Sequence, residues 1–241
     1  MDESMQDTRV ANISGDAHQS AEDTDTIALW ESAYRLFETP EEETRKFMRR
    51  LLKLGAKDWR RDAAIIELFC GHGNGLHALD RLGFTRLEGV DLSARLIAEY
   101  TGPAKCYVAD CRCLPFPDHS RDIAVIHGGL HHLAELPGDL EMTLFEIHRV
   151  LRAGGSLALV EPWMTPYLAL VHKVCENSLA NRLSRKVQAL ATMIELEQST
   201  YGCWLDHAAE ILAAFKRFFE PKSCRIAWGK LLFVGMARPQ S

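Results

Sequence analysis

Ala64-Ile65-Ile66-Glu67-Leu68-Phe69-Cys70-Gly71-His72-Gly73-Asn74-Gly75 joins a short apolar run to a glycine-rich turn, and a helical pattern follows to about Leu82. A buried strand that breaks at glycines and passes directly into a helix opens a βα unit. Downstream the alternation repeats: RLEGVDL at 86–92, a helix from Ser93, KCYVAD at 105–110, a loop, DIAVIH at 122–127, a long helix, and SLALVE at 156–161. Short buried strands separated by helices predict a doubly wound α/β fold, a parallel sheet with both faces covered. Within it, a helix over 140–151 carries Leu140, Leu144, Ile147 and Leu151 on one face and stops at Gly154-Gly155.

The alternation breaks after Glu161. Residues 162–200 read as a helical insertion, with helices over 167–176 and 184–198, and a further helix spans 206–219. CRIAW at 224–228 and LLFVGMA at 231–237 are strands joined by Gly229-Lys230, and a two-residue connection demands an antiparallel pair. Upstream, Leu29, Ala33, Leu36 and Phe37 recur at helical spacing. Thr39-Pro40-Glu41-Glu42 then supplies an N-cap, a proline at N1 and a capping-box glutamate for a helix running to about Leu54, ended by Gly55. Residues 1–26 hold almost no large apolar groups and read as a flexible acidic tail ahead of one domain over 27–241.

The 241 residues are 47% apolar and 25% charged, the proportions of a globular chain with a sizeable core. No apolar run reaches the roughly 18 to 20 residues that span a bilayer, and the N-terminus lacks the basic start and apolar stretch of a secretion signal, so the expected location is cytoplasmic. Seven cysteines at irregular spacing fit free thiols better than a disulfide framework. The net charge of −5 is concentrated in the tail, whose seven acids and one base leave about +1 on the rest. A near-neutral body lacks the electrostatic footprint of a nonspecific nucleic-acid binder.

The chemistry collects at the carboxyl ends of the strands, where ligands of open α/β sheets bind. The turn after the first strand lets backbone N–H groups approach a flat or anionic ligand. Asp91 ends the second strand about twenty residues on, placed to accept both hydroxyl hydrogens of a ribose, and Asp110 ends the third strand on the same rim.

The motifs ELFCGHGNG at 67–75, GVDLS at 89–93, VADCRCLPFPDHSRDIAVIHGGLHHL at 108–133 and EIHRVLRAGGSLALVEP at 146–162 resemble those of class I S-adenosylmethionine-dependent methyltransferases, in particular the small-molecule group typified by ubiquinone and sterol methyltransferases. The resemblance covers about residues 60–163 and the terminal hairpin. It implies a mostly parallel seven-stranded, Rossmann-like sheet whose last strand is reversed. It also implies that Glu67, Gly71, Gly73 and Gly75 cradle the methionine end of S-adenosylmethionine, that Asp91 holds its ribose, and that Asp110 with the backbone of Cys111 reads adenine; His72, Leu92 and His127 complete the cofactor set. The product would be S-adenosylhomocysteine. Cys70 and His72 depart from the usual loop residues, and Arg121 stands where the pattern usually has an aromatic.

Methyl transfer from a sulfonium is an in-line displacement that depends mainly on alignment in a dry cleft, although a base helps a hydroxyl or amine acceptor lose its proton. His131 and His132, after the fourth strand, and Glu161, ending the fifth, are the candidates for that base. Cys111-x-Cys113 lacks the paired halves of a zinc site, so no metal site is expected. The insertion should cover the pocket of a small-molecule acceptor. Its Arg182, Arg185 and Lys186, with Arg182 and Lys186 spaced i,i+4 on a possible helix, either pair an anionic acceptor or form a solvated face. Three other functions set the contrast. A nicotinamide-dependent oxidoreductase would carry G-x-G-x-x-G rather than G-x-G-x-G. A transfer-RNA methyltransferase would need a broader basic surface, and a noncatalytic adenosylmethionine-binding subunit would show no turnover.

Overall fold

The computed structural model describes residues 29–239, residue 31 excepted, so the expected acidic tail lies outside the described residues. Seven strands form one sheet in the order β3-β2-β1-β4-β5-β7-β6. β1 (Ala64–Leu68), β2 (Arg86–Asp91), β3 (Lys105–Val108), β4 (Arg121–His127) and β5 (Leu151–Pro162) are mutually parallel. β7 (Lys230–Ala237) runs antiparallel between β5 and β6 (Phe219–Ala227). The order reverses between β1 and β4, which opens a crevice at their carboxyl ends.

Helices cover both faces. Short helical residues 32–37 (α1) precede α2 (Pro40–Lys53), which begins with the expected capping box: Glu42 N donates to Thr39 Oγ1 at 3.2 Å, and Thr39 N donates to the Glu42 carboxylate at 2.9 Å. Phe47 and Leu51 of α2 pack with Leu76 and Leu79 of α3 (Asn74–Arg81) on Ile65, Ile123 and Val125. After α4 (Ala94–Ala98), the opposite face is covered by α5 (Gly138–Val150) and, later in the chain, by the helix at 208–218, whose Phe215 meets Phe233 of β7 at 5.1 Å. Each fully buried Leu or Phe contributes about 1.5–3 kcal/mol, so the β1 pattern of five consecutive buried residues anchors the sheet.

Three local expectations are corrected. The helix over 140–151 stops at Val150, and β5 begins at Leu151; an irregular stretch between Leu151 and Ser156, rather than a helix end, accommodates Gly154 at φ +76. In the terminal hairpin the two connecting residues are Trp228 and Gly229, with φ of +54 and +73, and Lys230 is already in β7. Two consecutive positive φ values give the tight turn that matches strand twist, and the flanking ladder imposes one of them on a tryptophan. Between β5 and β6 the chain forms five helices rather than three: α6 (Pro166–Glu176), α7 (Ser178–Leu183), α8 (Arg185–Leu196), α9 (Gln198–Asp206) and α10 (Ala208–Phe218). Asn177 caps α7 and Ser184 caps α8, so Arg182 and Lys186 belong to different helices and are not an i,i+4 pair.

Arg121 accounts for its own departure from the aromatic pattern. Its guanidinium lies 4.1 Å from the centroid of the Phe116 ring and pairs with Glu88 at 2.6 Å, covering apolar surface as an aromatic would. No helix among the described residues is long and apolar enough to cross a membrane.

Candidate active site

The glycine loop leaves β1 at Cys70 and re-enters helix at Asn74. Gly73 closes a turn onto the Cys70 carbonyl at 2.7 Å and caps α3 at φ +77, a conformation open to glycine at little cost. Asp91, at the end of β2, ties the loop down: its Oδ2 accepts the Gly71 N–H at 2.8 Å and its Oδ1 accepts the Ser93 N–H at 2.9 Å. Each oxygen therefore keeps one lone pair for a ligand. Leu92 beside it is 72% exposed, an apolar face on the rim.

Beneath the loop lies a polar pair with almost no solvent contact. Glu67 Oε1 stands 3.1 Å from His127 Nδ1, and the His127 ring stacks on Phe47 of α2 at 4.3 Å. Burial, and then the nearby Glu43 charge, hold the Glu67 carboxyl well above its usual range. Burial, with Arg50 and Lys46 nearby, pushes the His127 imidazole down to about 3. Both shifts favour the uncharged pair. His127, expected in the cofactor set, packs between Phe47 and Glu67 beneath the glycine loop. Glu43, which fixes Asn74 of the loop at 2.8 Å, was not foreseen.

The other expected cofactor residues fall on the same rim with different partners. Asp110 is gripped by Arg112, whose backbone N–H donates to Oδ1 at 2.8 Å while its guanidinium donates to both oxygens, holding the carboxyl below its usual range. Arg112 also reaches Asp139 at 2.7 Å. Adenine recognition by Asp110 thus requires this arginine to share its partner. Cys111 turns its sulfur toward the Thr143 hydroxyl at 3.4 Å, and His72 faces Glu99 at 3.1 Å.

On the far side of the crevice, Glu161 has no exposed surface. Its Oε1 accepts the N–H groups of Gly129 and Leu130, both at 2.9 Å, and its Oε2 accepts from His131 Nδ1 at 2.8 Å. Glu161 therefore positions the turn Leu130–His132, both of its oxygens engaged by these donors. His131 and His132, with ring centroids 4.1 Å apart, both look toward Glu197 between α8 and α9. Tyr201 of α9 meets the His131 ring at its edge and bonds His172 of α6 at 3.1 Å, and Trp204 anchors α9 by donating to the Pro162 carbonyl at 2.9 Å. Glu197, Tyr201 and His172 escaped the sequence reading. The i,i+4 spacing of Glu197 and Tyr201 was the available signal, but only the tertiary fold brings them to His131.

Residues 66–159 match a family model described as a methyltransferase domain, and the sheet order with its reversed β7 is the one the sequence motifs imply. The fold is that of the class I methyltransferases. The chain is similar to a 2-phytyl-1,4-naphtoquinone methyltransferase of Nostoc punctiforme, 34% identical over 107 residues that cover 40% of this chain and 45% of that one. A ubiquinone/menaquinone biosynthesis C-methyltransferase of Geobacter sulfurreducens is 28% identical over 150 residues, 53% of this chain and 57% of that one. The chain thus spans about half the length of these curated relatives. Among solved structures, a Pyrococcus horikoshii protein superposes with a TM-score of 0.65 at 16% identity, covering 87% of this chain and 98% of that one, which shows the fold alone.

Class I methyltransferases use S-adenosylmethionine, and the residues on this rim fit it. Asp91 retains a lone pair on each oxygen for a ribose diol, and Leu92 offers an apolar face to an adenine. A Cβ at Gly71 would meet nothing nearer than Leu96 at 3.9 Å, so the loop is open to a close ligand. Glu67 Oε2 and His127 Nε2, beneath the glycine loop, are buried without a protein partner.

Proposed function

We propose that this protein transfers the methyl group of S-adenosylmethionine to a small-molecule acceptor, with the glycine loop, Asp91 and Leu92 holding the cofactor. The observation that carries this reading is the double tie of Asp91 to Gly71 and Ser93, which presents the glycine loop and a ribose-ready carboxylate on one rim. Bound S-adenosylmethionine supplies an already activated methyl group. The chain then has to align an acceptor and exclude water.

The acceptor side is assigned to helices α6–α9 packed around His131, where Glu161 fixes the imidazole and Nε2 points toward Glu197. Relatives named as quinone and menaquinone methyltransferases support a quinol-type aromatic acceptor methylated on carbon. Helices α6–α9, from residue 166 onward, lie outside the family match at 66–159. Arg182, Arg185 and Lys186 are exposed, a position that suits solvent as well as an anionic acceptor. Neither a transfer-RNA nor a nicotinamide reading is favoured. All seven cysteines are free thiols, which suits the reducing cytoplasm.

Incubating the protein with S-adenosylmethionine and a panel of reduced naphthoquinones and simple phenols, followed by mass spectrometry, tests this. The expected result is a product one methyl group heavier with a quinol. Turnover only with RNA would replace the acceptor class, and bound cofactor with no turnover on any acceptor would favour a noncatalytic subunit.

A further inference from the structure

We propose that His131, His132 and Glu197 form a site for one divalent first-row transition metal ion of zinc-like preference on the acceptor side of the crevice. The inference deepens the acceptor-side reading above and relies on it only for the use made of the ion. Two adjacent histidines on the turn Leu130–His132 and a carboxylate from the α8–α9 junction bring one donor atom each within 4.8 Å of the others. His131 Nε2 lies 3.9 Å from Glu197 Oε2, and His132 Nδ1 lies 3.8 Å from Glu197 Oε1. Both separations are too long for hydrogen bonds, so the three donors converge without satisfying one another. Ligands about 2.0–2.2 Å from a tetrahedral ion stand roughly 3.4 Å apart, so no pair of the three donors has to close by more than about 1.4 Å to complete the site.

The surroundings prepare the donors. Metal-bound histidines almost always give their second ring N–H to a carboxylate or carbonyl, which fixes the tautomer and directs the lone pair. Glu161 does this for His131: it takes Nδ1–H at 2.8 Å and is itself held by the Gly129 and Leu130 amides, leaving Nε2 bare and aimed at Glu197. Two imidazoles and one carboxylate suit zinc, iron or manganese and not calcium or magnesium, which prefer all-oxygen shells. The His132 side chain is 42% exposed, so the site opens to solvent and leaves a coordination position for water or for an acceptor oxygen. A positive ion there would favour the deprotonated form of a quinol or phenol.

The test uses the full chain stripped of metal by chelator dialysis, with circular dichroism to confirm the fold. Zinc is titrated against a chromophoric indicator, and cobalt(II) substitution reads the ligands, because thiolate-to-cobalt charge transfer would betray binding at the exposed Cys113 or Cys224 instead. One zinc per chain is expected, with cobalt spectra lacking thiolate bands. His132→Asn and Glu197→Gln should each weaken the zinc affinity by about a hundredfold, and Glu161→Gln by about tenfold through the supporting hydrogen bond. Equal zinc affinity in wild type and His132→Asn, or a thiolate spectrum, overturns the site. Calorimetry with S-adenosylmethionine on the same samples separates the two readings: retained cofactor binding with no metal affinity removes the metal site alone.

Discussion

The buried Glu161 carboxylate receives the Nδ1–H of His131 at 2.8 Å and spends its other oxygen on two backbone amides, so one side chain shapes the turn and sets the imidazole tautomer. Glu161→Gln preserves the shape. Its amide oxygen can still accept both backbone N–H groups, but its NH2 must then face Nδ1 and force the proton to Nε2. The expected outcome is a folded protein with intact S-adenosylmethionine affinity and a methyl-transfer kcat reduced by about tenfold or more. Glu161→Ala should instead cost about 3–5 kcal/mol in a denaturant titration, since three buried donors lose their acceptor. A wild-type kcat in Glu161→Gln would remove His131 from the acceptor side.

Gly75 illustrates a collision that outweighs helix propensity. A Cβ there would overlap the Glu67 carboxylate, which is enclosed and cannot swing away. Alanine in a helix gains up to about 1 kcal/mol over glycine, whereas overpacking a rigid interior costs about 1–3 kcal/mol. Gly75→Ala is therefore expected to be destabilised by about 1–2 kcal/mol by chemical denaturation. Glu67→Ala combined with Gly75→Ala should recover part of that loss, and a failure of the double variant to recover any would show that the clash is not with Glu67.

Asp91→Ala removes the acceptor of Gly71 and Ser93 and, in the proposed complex, of the ribose hydroxyls. Calorimetry is expected to show S-adenosylmethionine binding weakened by about 1–3 kcal/mol in a protein that still melts cooperatively. Unchanged affinity would take Asp91 out of the cofactor site.

The pair Glu67 and His127 predicts a pH signature with two opposite signs. His127, depressed to about 3, refuses a proton that the unfolded chain takes near pH 6.5, so it makes no difference above that pH and costs stability as pH falls from 6.5 toward 3. Glu67, raised by burial, keeps a proton that the unfolded chain releases near pH 4.3, so its contribution is present below that pH and is lost as pH rises toward its folded value. In Glu67→Gln only the histidine effect remains. Unfolding free energies measured from pH 4.5 to 7 should therefore show the variant gaining on wild type with rising pH, by up to about 1.4 kcal/mol per unit. A constant difference across that range would mean that Glu67 titrates as an exposed carboxylate does.

Features set by neighbours in sequence were readable before the fold was known. Thr39 and Glu42 announce the start of α2, and the passage from Ile66 to Gly75 announces β1, its turn and α3, because caps and glycine turns act over three or four residues. The place of Asp91 on the sheet rim was legible for the same reason: it ends a strand, and its position in the sheet follows from the alternation. Partnerships across the sequence were not. Phe47 encloses His127, Arg112 takes Asp110, and Glu197 faces His131 only because α2, β4 and the α8–α9 junction meet at one end of the sheet. Trp228 in a turn contradicts its own propensity, and the strength of the β6–β7 ladder decides the matter. The breaks at Asn177 and Ser184 were readable as caps, but the six residues of α7 between them are too few for a helical period to show.

The most direct test of the account is isothermal titration of the full chain with S-adenosylmethionine, S-adenosylhomocysteine and NAD in parallel. The glycine loop tied to Asp91, with Leu92 beside it, predicts one site that binds both adenosyl compounds and leaves NAD without measurable heat. NAD binding more tightly than either adenosyl compound would contradict the methyltransferase account.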